Sequence, residues 1–313
     1  MYNTRRQFIK KSLAASAGAA LLTKNASLFA SLQQSRRFKI SLAEWSLHKA
    51  LFSGEISNLD FPVYSKDEFG INAVEYVSTF FKGTGKSYIN ELVQITNDNG
   101  ITNVLIMIDG EGNLGDLYKP RRIQAVERHY KWIDTAKILG CHSIRVNARG
   151  EGTSKQVSVA AIDGLKRLTE YGEKEGINVI VENHGGYSSD GKWLSNVISC
   201  VNNPCCGTLP DFGNFCLKSE YVEEKWNCID EYDKYKGMQE LMPFAKGVSA
   251  KSHNFDENGN ETVIDYKKMM QIVKESGYEG YIGIEYEGDN LSEKDGIIAT
   301  QKLLEKIFNE LDV

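Results

Sequence analysis

The sequence predicts one closed parallel α/β domain, a single (β/α)8 TIM barrel. Eight short apolar runs, rich in β-branched residues, alternate with eight helical segments. Residues able to do chemistry gather at the C-terminal ends of those runs, where a barrel of this kind builds its site. No internal repeat, long linker or glycine-rich loop after the first run indicates another architecture. A chain of 313 residues fits either two ordinary domains or one such barrel of about 250 residues, so the patterning decides.

The first strand is read at Phe38–Trp45, followed by a loop and helix approach from Ser46 to Glu68. The second is Gly70–Val77, with a helix over Lys86–Asn99 closed by Gly100. Asn103–Asp109 is the third. Apolar residues at Ile123, Val126, Tyr130, Ile133 and Ala136 then mark a helix over Pro120–Leu139 that stops at Gly140. His142–Asn147 is strand four, and a helix from about Gln156 to Glu175 ends at Gly176. Strand five runs from there into Glu182-Asn183-His184-Gly185-Gly186, and a helix follows around Trp193–Val201. Strand six ends at Asp211, and a long polar helix is expected from about Glu220 to Leu241. Strand seven runs to His253, and a helix over Asp265–Ser276 is stopped by Gly277. Strand eight at Tyr281–Glu287 and a helix over Leu291–Leu311 complete the chain. Gly83-Thr84-Gly85-Lys86-Ser87 has the look of part of a phosphate loop. It lacks the preceding strand and the full spacing, so it reads as an ordinary loop.

Four strand ends carry potential metal ligands: Glu182, Asp211, His253 and Glu285. Neighbouring barrel strands aim such positions at a shared centre, where three carboxylates and an imidazole would converge. Without a cation the carboxylates would repel one another. Three oxygens and one nitrogen suit one divalent ion, with Mn2+ preferred and Mg2+, Co2+, Fe2+ or Zn2+ as alternatives. Period-two alternation adds His184, two residues after Glu182, and Lys251, two before His253, to the same cavity. A lysine beside a dication is expected to have a lowered pKa and to serve acid/base chemistry. Arg145, Asn147 and Asn214 are read as substrate contacts, together with Glu44, Trp45, His48, Glu75 and Asp109 at the ends of strands one to three. Trp45 offers an apolar face to a sugar ring.

These four ligands, within Val-Glu-Asn-His, Leu-Pro-Asp-Phe-Gly-Asn, Ala-Lys-Ser-His and Gly-Ile-Glu-Tyr-Glu, resemble the metal-binding pattern of the xylose isomerase-like barrel superfamily. The resemblance is to its sugar phosphate isomerase/epimerase branch, over roughly residues 38–310. It implies that Glu182 and Glu285 act as acid and base on opposite faces of a keto-sugar. Asn214 stands where ketose epimerases place a substrate-binding histidine, and the arginine they carry beyond the histidine ligand is absent. The expected activity is therefore a metal-dependent sugar isomerase or epimerase working by proton abstraction α to a carbonyl, through an enediolate. The alternative is a lyase or dehydratase that eliminates a β leaving group from a 3-keto-glycoside or inosose-like substrate. A DNA-repair endonuclease of the same superfamily would need a histidine-rich zinc cluster, and only five histidines are present. A noncatalytic sugar-binding barrel would not need the four ligands.

Composition narrows the partners. With 41% hydrophobic and 25% charged residues the chain can fill a core and keep an average surface. A net charge of −5 with dispersed basic residues disfavours a nucleic-acid partner. A small carbohydrate is the expected partner. Thr4-Arg5-Arg6-Gln7-Phe8-Ile9-Lys10, followed by the small apolar run Leu13–Leu22, resembles a twin-arginine export signal. The expectation is a signal peptide over residues 1–30, a catalytic domain over 31–313, and a periplasmic protein without a lipid anchor. Six cysteines at uninformative spacing read mainly as small buried thiols, with disulfides open to them in an oxidising compartment.

Overall fold

The computed structural model describes residues 37–222 and 225–313; the expected signal peptide lies outside them. Eight parallel strands form one curled sheet: β1 (Phe38–Ala43), β2 (Ala73–Val77), β3 (Thr102–Met107), β4 (Ser143–Val146), β5 (Asn178–Glu182), β6 (Cys206–Leu209), and then, after an inserted hairpin, β9 (Val248–Ser252) and β10 (Gly280–Tyr286). Their order is β6-β5-β4-β3-β2-β1-β10-β9. The two ends of the sheet meet through the parallel bridges Thr208/Ala245 and Asp211/Ser249, with Ser249 N donating to Pro210 O at 2.9 Å.

Alternation along each strand sorts the core into two layers. Ile144, Val146, Val179, Val181, Val248, Ala250, Ile282 and Ile284 face outward into the layer between sheet and helices. Ala43, Ala73, Val77, Leu105, Met107, Ile180 and Leu209 fill the barrel interior. The interior also holds buried polar groups at the C-terminal half: Ser249 and Lys251 on β9, and Glu285 on β10.

The outer helices are α1 (His48–Ser53), α2 (Phe61–Phe69), α3 (Lys86–Asn99), α4 (Lys119–Leu139), α5 (Ser154–Glu175), α6 (Gly191–Val201), α7 (Lys234–Leu241), α8 (Tyr266–Glu275) and α9 (Glu293–Leu311). Several follow the expected spans to within a few residues, since apolar periodicity and a terminal glycine define both face and end. The α3, α4 and α5 helices each stop at a left-handed glycine, Gly100, Gly140 and Gly176. No helix among the described residues is long and apolar enough to cross a membrane.

One element differs from expectation. In place of a long helix from Glu220 to Leu241, the chain forms an antiparallel hairpin, β7 (Cys216–Val222) and β8 (Lys225–Glu231), followed by the short α7. Cys216 and Cys228 are joined in a disulfide across it. That pair departs from the buried-thiol reading, which Cys141 and Cys206 follow, while Cys205 is half-buried and Cys200 exposed.

Candidate active site at the mouth of the barrel

Three of the four expected ligands come together. Glu182, Asp211 and Glu285 are all buried, and one carboxylate oxygen from each lies within 4.8 Å of the others. His253 lies outside that 4.8 Å group, with its Nε2 against Gly213, two residues after Asp211. Glu285 pairs with Lys251 and Asp211 with Ser249, so Lys251 is level with Glu285, Ser249 is level with Asp211, and His253 stands one alternation beyond Lys251, level with Glu287. The backbone N–H of His253 is held by Glu261 Oε1 at 3.1 Å.

Each carboxylate has a different environment. Asn214 Nδ2 donates to Glu182 Oε1 at 2.8 Å. Arg145 Nε is 2.8 Å from Glu182 Oε2, but the N–H is not aimed at the oxygen, so both atoms stay buried without a directed hydrogen bond. Asp211 Oδ1 accepts from the backbone N–H groups of Gly213 and Asn214, each at 2.8 Å. The Ser249 hydroxyl lies 2.6 Å from Asp211 Oδ2 and 2.8 Å from Glu285 Oε2; it has one hydrogen for two carboxylates. Burial drives Glu285 up to about 8 against the pull of Lys251. Burial likewise raises Asp211. Three buried carboxylates around one centre, with an orphaned oxygen on Glu182, fit a divalent cation.

Lys251 reverses one expectation. Burial pulls its pKa down, but Glu285, Asp211, Glu287 and Glu182 outweigh burial and hold the ammonium well above its ordinary range. Its Nζ is 2.8 Å from Glu287 Oε2, 3.7 Å from Glu285 Oε2 and 3.3 Å from Asn214 Oδ1. Against the cost of burial, this ammonium and the indole of Trp45, which donates to Oε1, bring Glu287 down to about 2. Glu287 was absent from the expected site, although it lies two residues beyond Glu285 and alternation alone points it inward.

On the opposite side runs a polar chain. Asn147 Nδ2 donates to Asp109 Oδ1 at 2.8 Å, and His184 Nδ1 lies 2.9 Å from Asn147 Oδ1. The Arg149 guanidinium also lies 3.3 Å from Nδ1, so a ring hydrogen on Nδ1 serves Asn147 and a bare Nδ1 serves Arg149. Burial, with Arg145, Lys251 and Arg149 nearby, lowers His184 to about 3, so it is neutral at pH 7. Burial opposes ionisation of Asp109, but Arg145, 3.1 Å away, keeps its carboxyl below the ordinary range.

Asp109, Asn147, His184 and Trp45 line a cavity of about 570 Å3. It opens at Asn113, Arg149 and His184 into a second cavity of about 870 Å3. Trp45 is stacked on His48 at 5.0 Å. The His48 Nδ1 is engaged at 2.8 Å by Trp45 O, so His48 buttresses the indole.

The remaining expected contacts face other ways. Ala43 points into the barrel, so Glu44 faces outward, fully buried, accepting from Asn58 Nδ2 and Val77 N at 2.8 Å each. Burial raises it to about 8. Glu75 lies inside, bound by Ser41 Oγ at 2.6 Å, with its second oxygen unpartnered and its pKa raised by burial to about 7. Asn214, expected to bind substrate, has its polar atoms engaged by Asp211, Glu182, Lys251 and Ser189.

The profile of the xylose isomerase-like TIM barrel family matches residues 67–307. The chain belongs to that family. Among solved structures of this family's fold, a D-tagatose 3-epimerase-like protein superposes with a TM-score of 0.64 over 88% of this chain and 98% of its own, at 15% identity. Two curated relatives match shorter stretches. The 3'-dehydrocarminate deglycosidase alpha subunit of a Microbacterium species is 32% identical over 76 residues, 23% of this chain and 22% of that protein. The C-glycoside deglycosidase alpha subunit of Arthrobacter globiformis is 36% identical over 66 residues, 20% of this chain and 19% of that protein. The chain therefore aligns with about a fifth of the length of each curated relative.

Proposed function

We propose that this family member is a metal-dependent sugar isomerase or epimerase that removes a proton α to the carbonyl of a keto-sugar or keto-sugar derivative. The observation that carries the reading is the buried trio Glu182, Asp211 and Glu285, in which the two glutamates have different partners. Glu182 is clamped by Arg145 and Asn214, while Glu285 shares Ser249 with Asp211 and faces Lys251. Two carboxylates held apart in environment form an acid/base pair.

Glu182, Asp211 and Glu285 would hold a divalent ion, manganese being our first choice, and bound there it would supply Lewis-acid polarisation of the carbonyl. Glu182 or Glu285 takes the α-proton as the C–H bond breaks, and the electron pair passes into the carbonyl to give an enediolate. The Lys251 ammonium stabilises the developing negative charge. Neutral His184 receives or returns a hydroxyl proton. Reprotonation on the other face gives the epimer, and at the neighbouring carbon the isomer.

A second reading has its own support. Both curated relatives are named as deglycosidase subunits, one of a 3'-dehydro glycoside, and Asn214 occupies the place of the epimerase histidine. In a 3-keto-glycoside the same deprotonation at C2 is followed by expulsion of the group on C1. That group leaves with the C–O bonding pair and takes a proton, and a C1–C2 double bond forms. Incubation with keto-sugars and 3-keto-glycosides in deuterated water, followed by NMR at the α-position, tests both. Deuterium in recovered substrate or epimer is expected for the first reading, and loss of the aglycone with an unsaturated sugar for the second. Turnover with the α C–H bond intact would exclude both.

We also propose that the protein is exported through the twin-arginine route and works in the periplasm. The Cys216–Cys228 disulfide supports an oxidising compartment. Arg5→Lys with Arg6→Lys should trap the precursor inside the cell, and unchanged delivery of that variant would exclude the route.

A further inference from the structure

The cavity has two lobes, and the proposed chemistry accounts for only one. The inner lobe, with Trp45, Asp109, Asn147 and His184, is tied to the carboxylates through Arg145 on one side and through Glu287 and Lys251 on the other. At about 570 Å3 it is a small-ligand pocket by itself. The outer lobe is larger, about 870 Å3, and communicates with it across Asn113, Arg149 and His184.

Its lining suits a ring. Tyr187 is 37% exposed and stacks on Trp193 at 5.9 Å with 29° between the planes, and its hydroxyl donates to Gly152 O at 2.8 Å. The ring is thus fixed at both ends and presents a face. The preceding Gly185 and Gly186 have φ of 84° and 59°, and a Cβ added to either would meet no atom within 4 Å. The loop therefore leaves open space before the tyrosine. Leu217, in the disulfide-closed hairpin, adds an apolar side chain to the lining, and Ser154 and Asp190 add polar groups.

We propose that the outer lobe is the leaving-group subsite for a keto-glycoside of two rings, whose second ring lays a flat face on Tyr187. Resting on the elimination reading above, this names the substrate class as glycosides with a ring-shaped aglycone, pyranose or aryl. The linkage to the oxidised sugar then crosses the junction at His184 and Arg149.

Binding and chemistry are measured separately. Titration calorimetry of the manganese-loaded full chain compares methyl glucoside with phenyl glucoside and cellobiose, none of which carries the reactive carbonyl. Two-ring ligands should bind about 5- to 10-fold more tightly, the scale of one good stacking contact. Tyr187→Ala should remove most of that ratio and Tyr187→Phe should keep it, with circular dichroism confirming that both fold. The tighter of the phenyl and cellobiose arms identifies the aglycone as aryl or sugar. Equal affinity for one and two rings, or an unchanged ratio in Tyr187→Ala, overturns the subsite. Deuterium exchange at the α-carbon of 3-keto-glucose reads the chemistry alone: exchange without two-ring preference leaves the proposed reaction standing and sinks the subsite. Two-ring preference with no exchange and no aglycone loss from phenyl 3-keto-glucoside overturns the leaving-group role.

Discussion

Replacing Lys251 by methionine keeps the length and apolar stem of the side chain and removes its charge. The ammonium lies 2.8 Å from Glu287 and 3.7 Å from Glu285, and it is only 3% exposed. With an effective dielectric of about 20, the two contacts correspond to about 6 and about 4.5 kcal/mol of gross attraction. Most of that offsets desolvation of the charges. The measurable loss on removing one partner of a buried pair is about 3–5 kcal/mol, because the other charges remain buried and uncompensated. Urea unfolding of Lys251→Met in chelator should show a loss of that size. With saturating manganese the loss should fall below half, because a dication among Glu182, Asp211 and Glu285 compensates the same carboxylates. A loss under about 1 kcal/mol in chelator would refute the ammonium as the offsetting charge. An equal loss with and without manganese would refute the placement of the cation.

Glu285→Gln should retain much of the metal affinity and lower turnover of the substrate by about 100- to 10,000-fold, measured by steady-state kinetics beside metal titration. Glu44 has its folded pKa raised to about 8 from an ordinary 4.5. Its contribution to stability is therefore full below pH 4.5 and is lost as pH rises toward 8. Glu44→Gln should flatten the fall in unfolding free energy between pH 5 and 8, a difference on the order of a few kcal/mol, since each pH unit between the two pKa values corresponds to about 1.4 kcal/mol. A parallel pH profile in the variant would contradict that account. Alkylation of the denatured, unreduced protein should modify Cys141, Cys200, Cys205 and Cys206 and spare Cys216 and Cys228 until reduction, as mass spectrometry can count.

The barrel was legible because alternation and helical periodicity are local and survive in the sequence alone. Val179, Val181, Ile282 and Ile284 mark one face of their strands, and Glu182 and Glu285 the other. The hairpin was not legible: its strands are polar and lie outside the core, so neither period was strongly imposed. The pairing of Cys216 with Cys228, twelve residues apart, depends on a turn that no spacing rule specifies.

Face alone does not place His253. Alternation gives the face of a residue and says nothing of its depth, so Ser249, Lys251 and His253 are equivalent in sequence although they occupy three layers. Depth is a property of two strands together. The register Glu285/Lys251 puts an ammonium level with Glu285, and the bridge Asp211/Ser249 puts a hydroxyl level with Asp211. The same geometry shows Glu287 as the partner of Lys251, and it gives Asn214 the work of holding Glu182 and Asp211. The asparagine amide supplies a donor to Glu182 and an acceptor for Lys251 at once. The departure from the epimerase pattern at this position is thus coupled to the lysine on the neighbouring strand, β9. A double substitution at 214 and 251 should therefore show an interaction energy that the single changes do not sum to.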